Sequence, residues 1–213
     1  MFAVVFAVQP KKECWNTYLD LAKHLKPLLE EMAGFIDNER FESQRTPGRL
    51  LSLSTWRDEK ALIRWRTHAE HHHVQERGRS TVFEDYHLRV GEIDSERTDV
   101  TEVARAKELT ITELTPPTDG TTAKIPQVAL DNDLASGTAG LIDYEMFASI
   151  YTAGKVLVLA SWTDANAARA FVPHARGPLK ELRHRRITVI RDYAMRDRRE
   201  APQYFVTTNY TAV

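Results

Sequence analysis

Phe41-Glu42-Ser43-Gln44-Arg45-Thr46-Pro47-Gly48 and Phe147-Ala148-Ser149-Ile150-Tyr151-Thr152-Ala153-Gly154 are two versions of one segment, set 106 residues apart. The match runs on without a gap on either side. Leu51, Leu53 and Trp56 fall on Leu157, Leu159 and Trp162, and Asp58 and Ala61 on Asp164 and Ala167. His68 and Ala69 then meet His174 and Ala175, while upstream Pro10 meets Pro116 and Gly34 meets Gly140. Shared strand and turn propensities alone would not hold an aspartate and a histidine in register. The chain therefore reads as a tandem duplication.

Each half reads as β-α-β-β-α-β. Phe2–Val8 is a continuous apolar run rich in valine, as a buried strand requires,. Trp15, Tyr18, Leu19, Ala22, Leu25, Leu29 and Met32 recur at helical spacing,. Pro27 should kink that helix or start its last segment, and Gly34 should stop it. Phe35–Gln44 and Arg49–Trp56 form a hairpin around Thr46-Pro47-Gly48. Asp58 caps a second helix that runs to Arg77 and ends at Gly78, and Val82–Ile93 closes the unit.

The second half repeats the order, with strands at Leu109 and Ile111, Leu141–Tyr151, Lys155–Trp162 and Arg186–Met195. Its first helix shrinks to about Gln127–Leu134, and its second is cut by Pro173 and Gly177-Pro178. The boundaries read as 1–95 for the first domain, 96–107 for a linker, 108–196 for the degenerate repeat and 197–213 for a tail.

Over the 213 residues, Lys and Arg number 29 and Asp and Glu 30, a net charge of −1. That balance gives no general field for nucleic acid or an anionic membrane. Cys14 stands alone, which excludes an internal disulfide and a cysteine zinc site,. The longest apolar run, Phe2–Val8, is too short for a bilayer and lacks the flanks of a signal peptide, so a cytoplasmic protein is expected. No phosphate-binding glycine loop or nucleophile elbow occurs.

The second helix carries the candidate chemistry. Ala61, Trp65, His68 and His72 fall four, three and four residues apart and share one face of a continuous helix. Two imidazoles on a face meant for the sheet must either bond within a core or line a cavity. Successive His71, His72 and His73 point about 100° apart and cannot converge on a metal. Arg79, Tyr86 and Arg89 form a second group, with surface pairing and core packing as the plain alternative. Arg183-His184-Arg185-Arg186 reads as a solvated face.

Trp56-Arg57-Asp58-Glu59-Lys60-Ala61-Leu62-Ile63-Arg64-Trp65, with Glu70-His71, Gln75, Gly78-Arg79, Phe83 and Tyr86, resembles the antibiotic biosynthesis monooxygenase (ABM) domain. The resemblance covers residues 1–93 well and 108–196 weakly. It implies a ferredoxin-like α+β fold whose four-stranded antiparallel sheets pair face to face as an α+β barrel. Here the two repeats would pair within one chain, and a further homodimer stays open.

The resemblance also implies a pocket between helices and sheet, with a tryptophan at the place of Trp65. Oxygenating members need no flavin or metal, and their electron-rich phenol or quinol reduces oxygen itself once deprotonated. On that reading His72 is the base and His68 the reserve, with Trp65, His71, Arg79 and Tyr86 lining the substrate site. The substrate would be an aromatic or polycyclic small molecule, with no cofactor.

A heme-degrading branch resembles this chain at Trp65. It departs from it at Gln75, where a histidine is wanted, and in the first strand, which offers Gln9 and no asparagine. A non-catalytic small-molecule binder is the third reading. Phe171 replaces Trp65 in the repeat, Pro178 replaces His72 and Gly177 replaces His71. Only the first half should therefore keep a working pocket, with the second half closing the barrel.

Overall fold

A computed structural model describes residues 1–95, 107–117, 134, 138–173 and 179–201. The first repeat comprises β1 (Phe2–Pro10), α1 (Trp15–Glu30), β2 (Phe35–Ser43), β3 (Leu50–Trp56), α2 (Glu59–Thr67), α3 (Ala69–Arg77) and β4 (Phe83–Ser95). A π-helical turn, Gly78–Val82, joins α3 to β4. The second comprises β5 (Lys107–Thr115), β6 (Leu141–Ser149), β7 (Val156–Trp162), α4 (Ala165–Ala170) and β8 (Glu181–Ala194). The expected helix at Gln127–Leu134 lies outside the described residues except for Leu134, which is buried beside Met146 and Trp162. His174, Gly177, Pro178 and the apolar end of the tail also lie outside them.

All the strand pairings are antiparallel, and they close a barrel in the order β1-β3-β2-β6-β7-β5-β8-β4. The fold is two tandem ferredoxin-like repeats that share one intramolecular α+β barrel. Alternation decides which side chains go inside. Ala3, Val5 and Ala7 of β1 meet Leu51, Leu53, Ile111, Leu157 and Ile187 in the interior. Val4, Phe6 and Val8 face outward under the first repeat's helices.

Local signals set the element ends. The Asp58 carboxylate accepts from the Ala61 N–H at 2.8 Å, and Asp164 does the same for Asn166 and Ala167. Each N-terminal donor satisfied in this way fixes the angle at which its helix leaves the sheet. Gly34 and Gly140 hold φ of 92° and 76°, and a Cβ on either would lie 2.6 or 2.3 Å from the Cβ of Ala61 or Ala167. The chain can turn tightly against the second helix of each repeat only because both positions are glycine.

The two repeats meet along two seams. At β2–β6, Phe41 lies opposite Ser149 and Ser43 opposite Phe147. Pseudo-twofold bonds flank them: Ser43 Oγ donates to Glu145, and Ser149 Oγ donates to Glu39 at 2.6 Å. The β4–β8 seam is longer, running from His87 opposite Ala194 to Ser95 opposite Arg186. At Gly91 the strands approach so closely that a Cβ would lie 2.3 Å from Ile187 Cγ2.

The structure corrects three expectations. The ungapped repeat fails at its end. Val5 lies opposite Arg89, whereas Ile111 lies opposite Arg185, so the last strand is offset by 96 positions and the second repeat is ten residues shorter. Where those ten residues are lost falls in part outside the described residues, and so does the expected match of Pro178 and Gly177 with His72 and His71.

The second helix of the first repeat is also not continuous. It breaks at His68, whose ψ of 129° is extended, and chain beyond Gly78 remains helical through the π turn. The Thr67 hydroxyl donates back to Ile63 O at 2.9 Å, a bond that competes with regular helix geometry,.

Finally, Arg185 belongs to no solvated face. It is 1% exposed, bonded to Thr55 Oγ1 at 3.1 Å and paired with Glu113. Arg89 makes the symmetry-related bond to Ser161 Oγ at 3.3 Å, but Ala7 stands where a second glutamate would be.

Breaking a buried ion pair strands the remaining charge. Glu113→Ala is therefore expected to lower stability by about 3 kcal/mol in urea unfolding, while Arg185→Met with Glu113→Leu recovers most of it.

Candidate active site

The outward face of the first sheet, continued by the end of β8, forms the floor of a cavity of about 200 Å³. The pairing registers lay out that floor in two rows. Arg40, Ser52, Phe6, Leu88 and Tyr193 are successive neighbours across β2, β3, β1, β4 and β8. Asn38, Ser54, Val4, Val90 and Arg191 follow one pleat along. The floor is polar at β2–β3, apolar in the middle, and cationic and phenolic at β8. Helix α1 roofs it with Leu21, Leu25 and Leu29, α2 with Leu62 and Trp65, and α3 with His71, Val74 and Gln75.

The interruption at His68 creates the central feature. In an unbroken helix the Trp65 carbonyl would accept from the N–H of residue 69. The extended His68 removes that donor, and the carbonyl instead accepts from the His68 N–H at 3.1 Å. His71 supplies a second donor, its Nδ1 lying 2.9 Å from Trp65 O. A carbonyl can only accept, so Nδ1 carries the proton and Nε2 carries the lone pair.

The His71 ring lies flat on the Trp65 indole, with centroids 4.2 Å apart and planes 14° apart. Burial pushes its pKa down to about 4, and the charge on Arg66 adds to the shift. At neutral pH His71 is thus an uncharged imidazole of fixed tautomer at the cavity wall. The Gln75 amide nitrogen lies 3.2 Å from Nδ1 and 3.4 Å from Nε2, against the ring as a whole.

The predicted residues separate accordingly. Trp65, His71, Arg79 and Tyr86 line the cavity. His72 and His68, expected as base and reserve, do not. Restarting the helix at Ala69 rotates His72 out of the line from Ala61 through Trp65, and it faces Glu76 Oε1 at 3.4 Å. His68 occupies the break itself, 5.8 Å from the Trp65 ring.

Arg89 points away toward Ser161. Arg40, Arg66, Arg191, Tyr193 and Arg198 were not predicted for the site, and they line it. Arg66 was legible, being next to Trp65. Arg191, Tyr193 and Arg198 come from the end of the second repeat, where the ungapped match misplaced the chain.

Among the described residues no three histidine, cysteine, aspartate or glutamate side chains converge as a metal site. Two positions depart from the pattern of the heme-degrading branch. Residue 75 is glutamine, and Gln9 turns its amide to Pro47 O at 3.4 Å. No helix among the described residues is long and apolar enough to cross a membrane.

Residues 1–77 match the family described as antibiotic biosynthesis monooxygenase. A protein of Pyricularia oryzae called jasmonate monooxygenase ABM is 37% identical over 96% of this chain and 98% of its own length. An uncharacterised Bacillus subtilis protein, YqjZ, is 32% identical over 45% of this chain and 82% of its own. A solved structure called antibiotic biosynthesis monooxygenase aligns at a TM-score of 0.41 and 17% identity, over 45% of this chain and all of its own. With a relative matched from end to end and the family signature on the repeat that carries the cavity, the chain belongs to the antibiotic biosynthesis monooxygenase family and is an oxidoreductase.

Proposed function

We propose that the enzyme oxygenates a small, largely apolar molecule held between α1–α3 and the sheet, and that His71 accepts the proton whose loss starts the reaction. The observation that carries this reading is the tautomer: Nδ1 bonded to Trp65 O leaves the lone pair on Nε2 of an imidazole that lines the cavity. An entering hydroxyl, or an acidified C–H, would present its proton to that nitrogen.

The reading needs no flavin, nicotinamide, heme or metal. The deprotonated substrate passes one electron to dioxygen, and the resulting radical and superoxide combine into a peroxide anion. The imidazolium of His71 returns its proton to that anion. Loss of water leaves a carbonyl, so that SH₂ and O₂ give S=O and H₂O, with all four electrons that reduce the dioxygen drawn from the substrate.

For the substrate, the name of the Pyricularia oryzae relative makes jasmonate the first compound to try. The rings of Phe6, Phe83, Tyr86 and Trp65 around the cavity support a second class, an aromatic or polycyclic molecule.

Two outcomes are expected from oxygen uptake and product mass. His71→Gln should lower kcat/KM by about 10² to 10⁴ while substrate still binds, whereas His72→Ala stays within about threefold of the parent. Equal losses in both would refute the assignment.

The second outcome concerns pH. The folded-state pKa of His71 is depressed from the ordinary 6.5 to about 4. The active neutral form therefore persists well into acid, and kcat/KM should fall only as the pH drops through about 4,. The same depression removes stability between pH 6.5 and about 4, because the unfolded chain takes up a proton there that the folded one does not,. His71→Gln should flatten that part of the stability profile.

A further inference from the structure

The second repeat does more than close the barrel, and a bulge shows how. Along β8, Arg185, Ile187 and Val189 turn to the barrel interior. The register then slips: Gly91 lies opposite Val189, but its neighbour Val90 lies opposite Arg191. Ile190 is the extra residue, and it is 45% exposed. One added residue reverses the side-chain parity of a strand, so Arg191 and Tyr193 turn outward onto the floor of the first repeat's cavity. The segment after β8 then folds back and brings Arg198 to the same end.

That end of the cavity is built around two phenols and several guanidinium groups. Arg66 donates to Tyr193 OH at 3.3 Å, and its guanidinium carbon lies 5.8 Å from the ring centroid. Arg198 stands 6.0 Å from the same centroid and donates to Tyr86 OH. Arg79 lines the cavity beside them. Burial lowers the pKa of Arg66, and the neighbouring charges of Arg198 and Arg79 lower it further. Among the described residues that line the cavity Glu59 is the one carboxylate, and it is already held by Arg191 at 2.8 Å. Like charges gathered at a cavity end attract an anion. Tyr86 and Tyr193 each accept from an arginine, which leaves both hydroxyl protons to donate.

We propose that Arg79, Arg198 and Arg66, grouped around the hydroxyls of Tyr86 and Tyr193, bind the carboxylate of an otherwise apolar substrate. This rests on the reading of the cavity as the substrate site. The guanidinium fork matches a carboxylate edge to edge, and the apolar middle of the floor takes the rest of the molecule toward Trp65 and His71. The second repeat thereby supplies part of the specificity of a site whose proton acceptor belongs to the first.

The test is equilibrium binding of two apolar acids of unlike skeleton, laurate and naphthoate, each beside its methyl ester, to the full chain. Tryptophan fluorescence reports on Trp65. At least one acid is expected to bind about tenfold or more tightly than its ester. Arg198→Gln and Arg79→Gln should each weaken the acid more than its ester and so bring that ratio toward one, and Arg198→Lys should keep part of the preference. Thermal melts confirm that the variants fold, and Arg198 is exposed enough for its loss to be tolerated.

Equal binding of acid and ester by the parent, no binding of either acid, or equal weakening of acid and ester in the variants would each overturn the proposal. Oxygen uptake by His71→Gln reads the proton transfer independently, so failure of the carboxylate site and failure of the proposed chemistry are separable.

Discussion

A four-stranded sheet with helices on one side has a second apolar face that its own helices cannot reach. In this chain each sheet covers the other, and that constraint organises everything else. It forces two seams, β2–β6 and β4–β8, and the seams dictate their residues. Gly91 is needed because Ile187 and Thr188 pass where its Cβ would lie. Small side chains, Ala3 and Ala7, line β1 where two sheets must fit within one barrel,. The bulge at Ile190 reconciles a strand that begins inside the barrel with an end that must cover the neighbouring repeat.

The pseudo-twofold axis survives in the polar contacts more faithfully than in the helices. Ser43–Glu145 and Ser149–Glu39 are the same bond made twice, as are Arg89–Ser161 and Arg185–Thr55. Symmetry is lost where function has taken over the first repeat or where the second has been trimmed. Glu113 neutralises Arg185, while Ala7 offers Arg89 nothing. The cavity lies under the helices of the first repeat, and Phe171, at the position of Trp65, is packed against Trp162 with centroids 5.2 Å apart.

Much of this was legible in the sequence because it rests on local chemistry that repeats. Asp58 and Asp164 cap helices by side-chain bonds three residues long, and Gly34 and Gly140 mark turns that a Cβ forbids. Trp65, Arg79 and Tyr86 are placed at one site by the family resemblance, and no period of helix or strand brings them together. The break at His68 could not be foreseen, since neither proline nor glycine marks it and the only local cue is the back-bonding Thr67. That single dihedral puts His71, and not His72, among the residues that line the cavity. The ten-residue shortening and the Ile190 bulge were hidden for another reason. Both are visible only as a change of strand register, which depends on partners far away in sequence.

The central claim is that His71, on the cavity wall, is a neutral imidazole protonated at Nδ1 with its lone pair on Nε2. Nitrogen-15 NMR of the eight histidines measures this directly, with His71→Gln to assign the signal. The account predicts that His71 keeps the Nδ1–H tautomer through neutral pH and takes a second proton only near pH 4. A His71 that titrates near 6.5, or that carries its proton on Nε2, would contradict it.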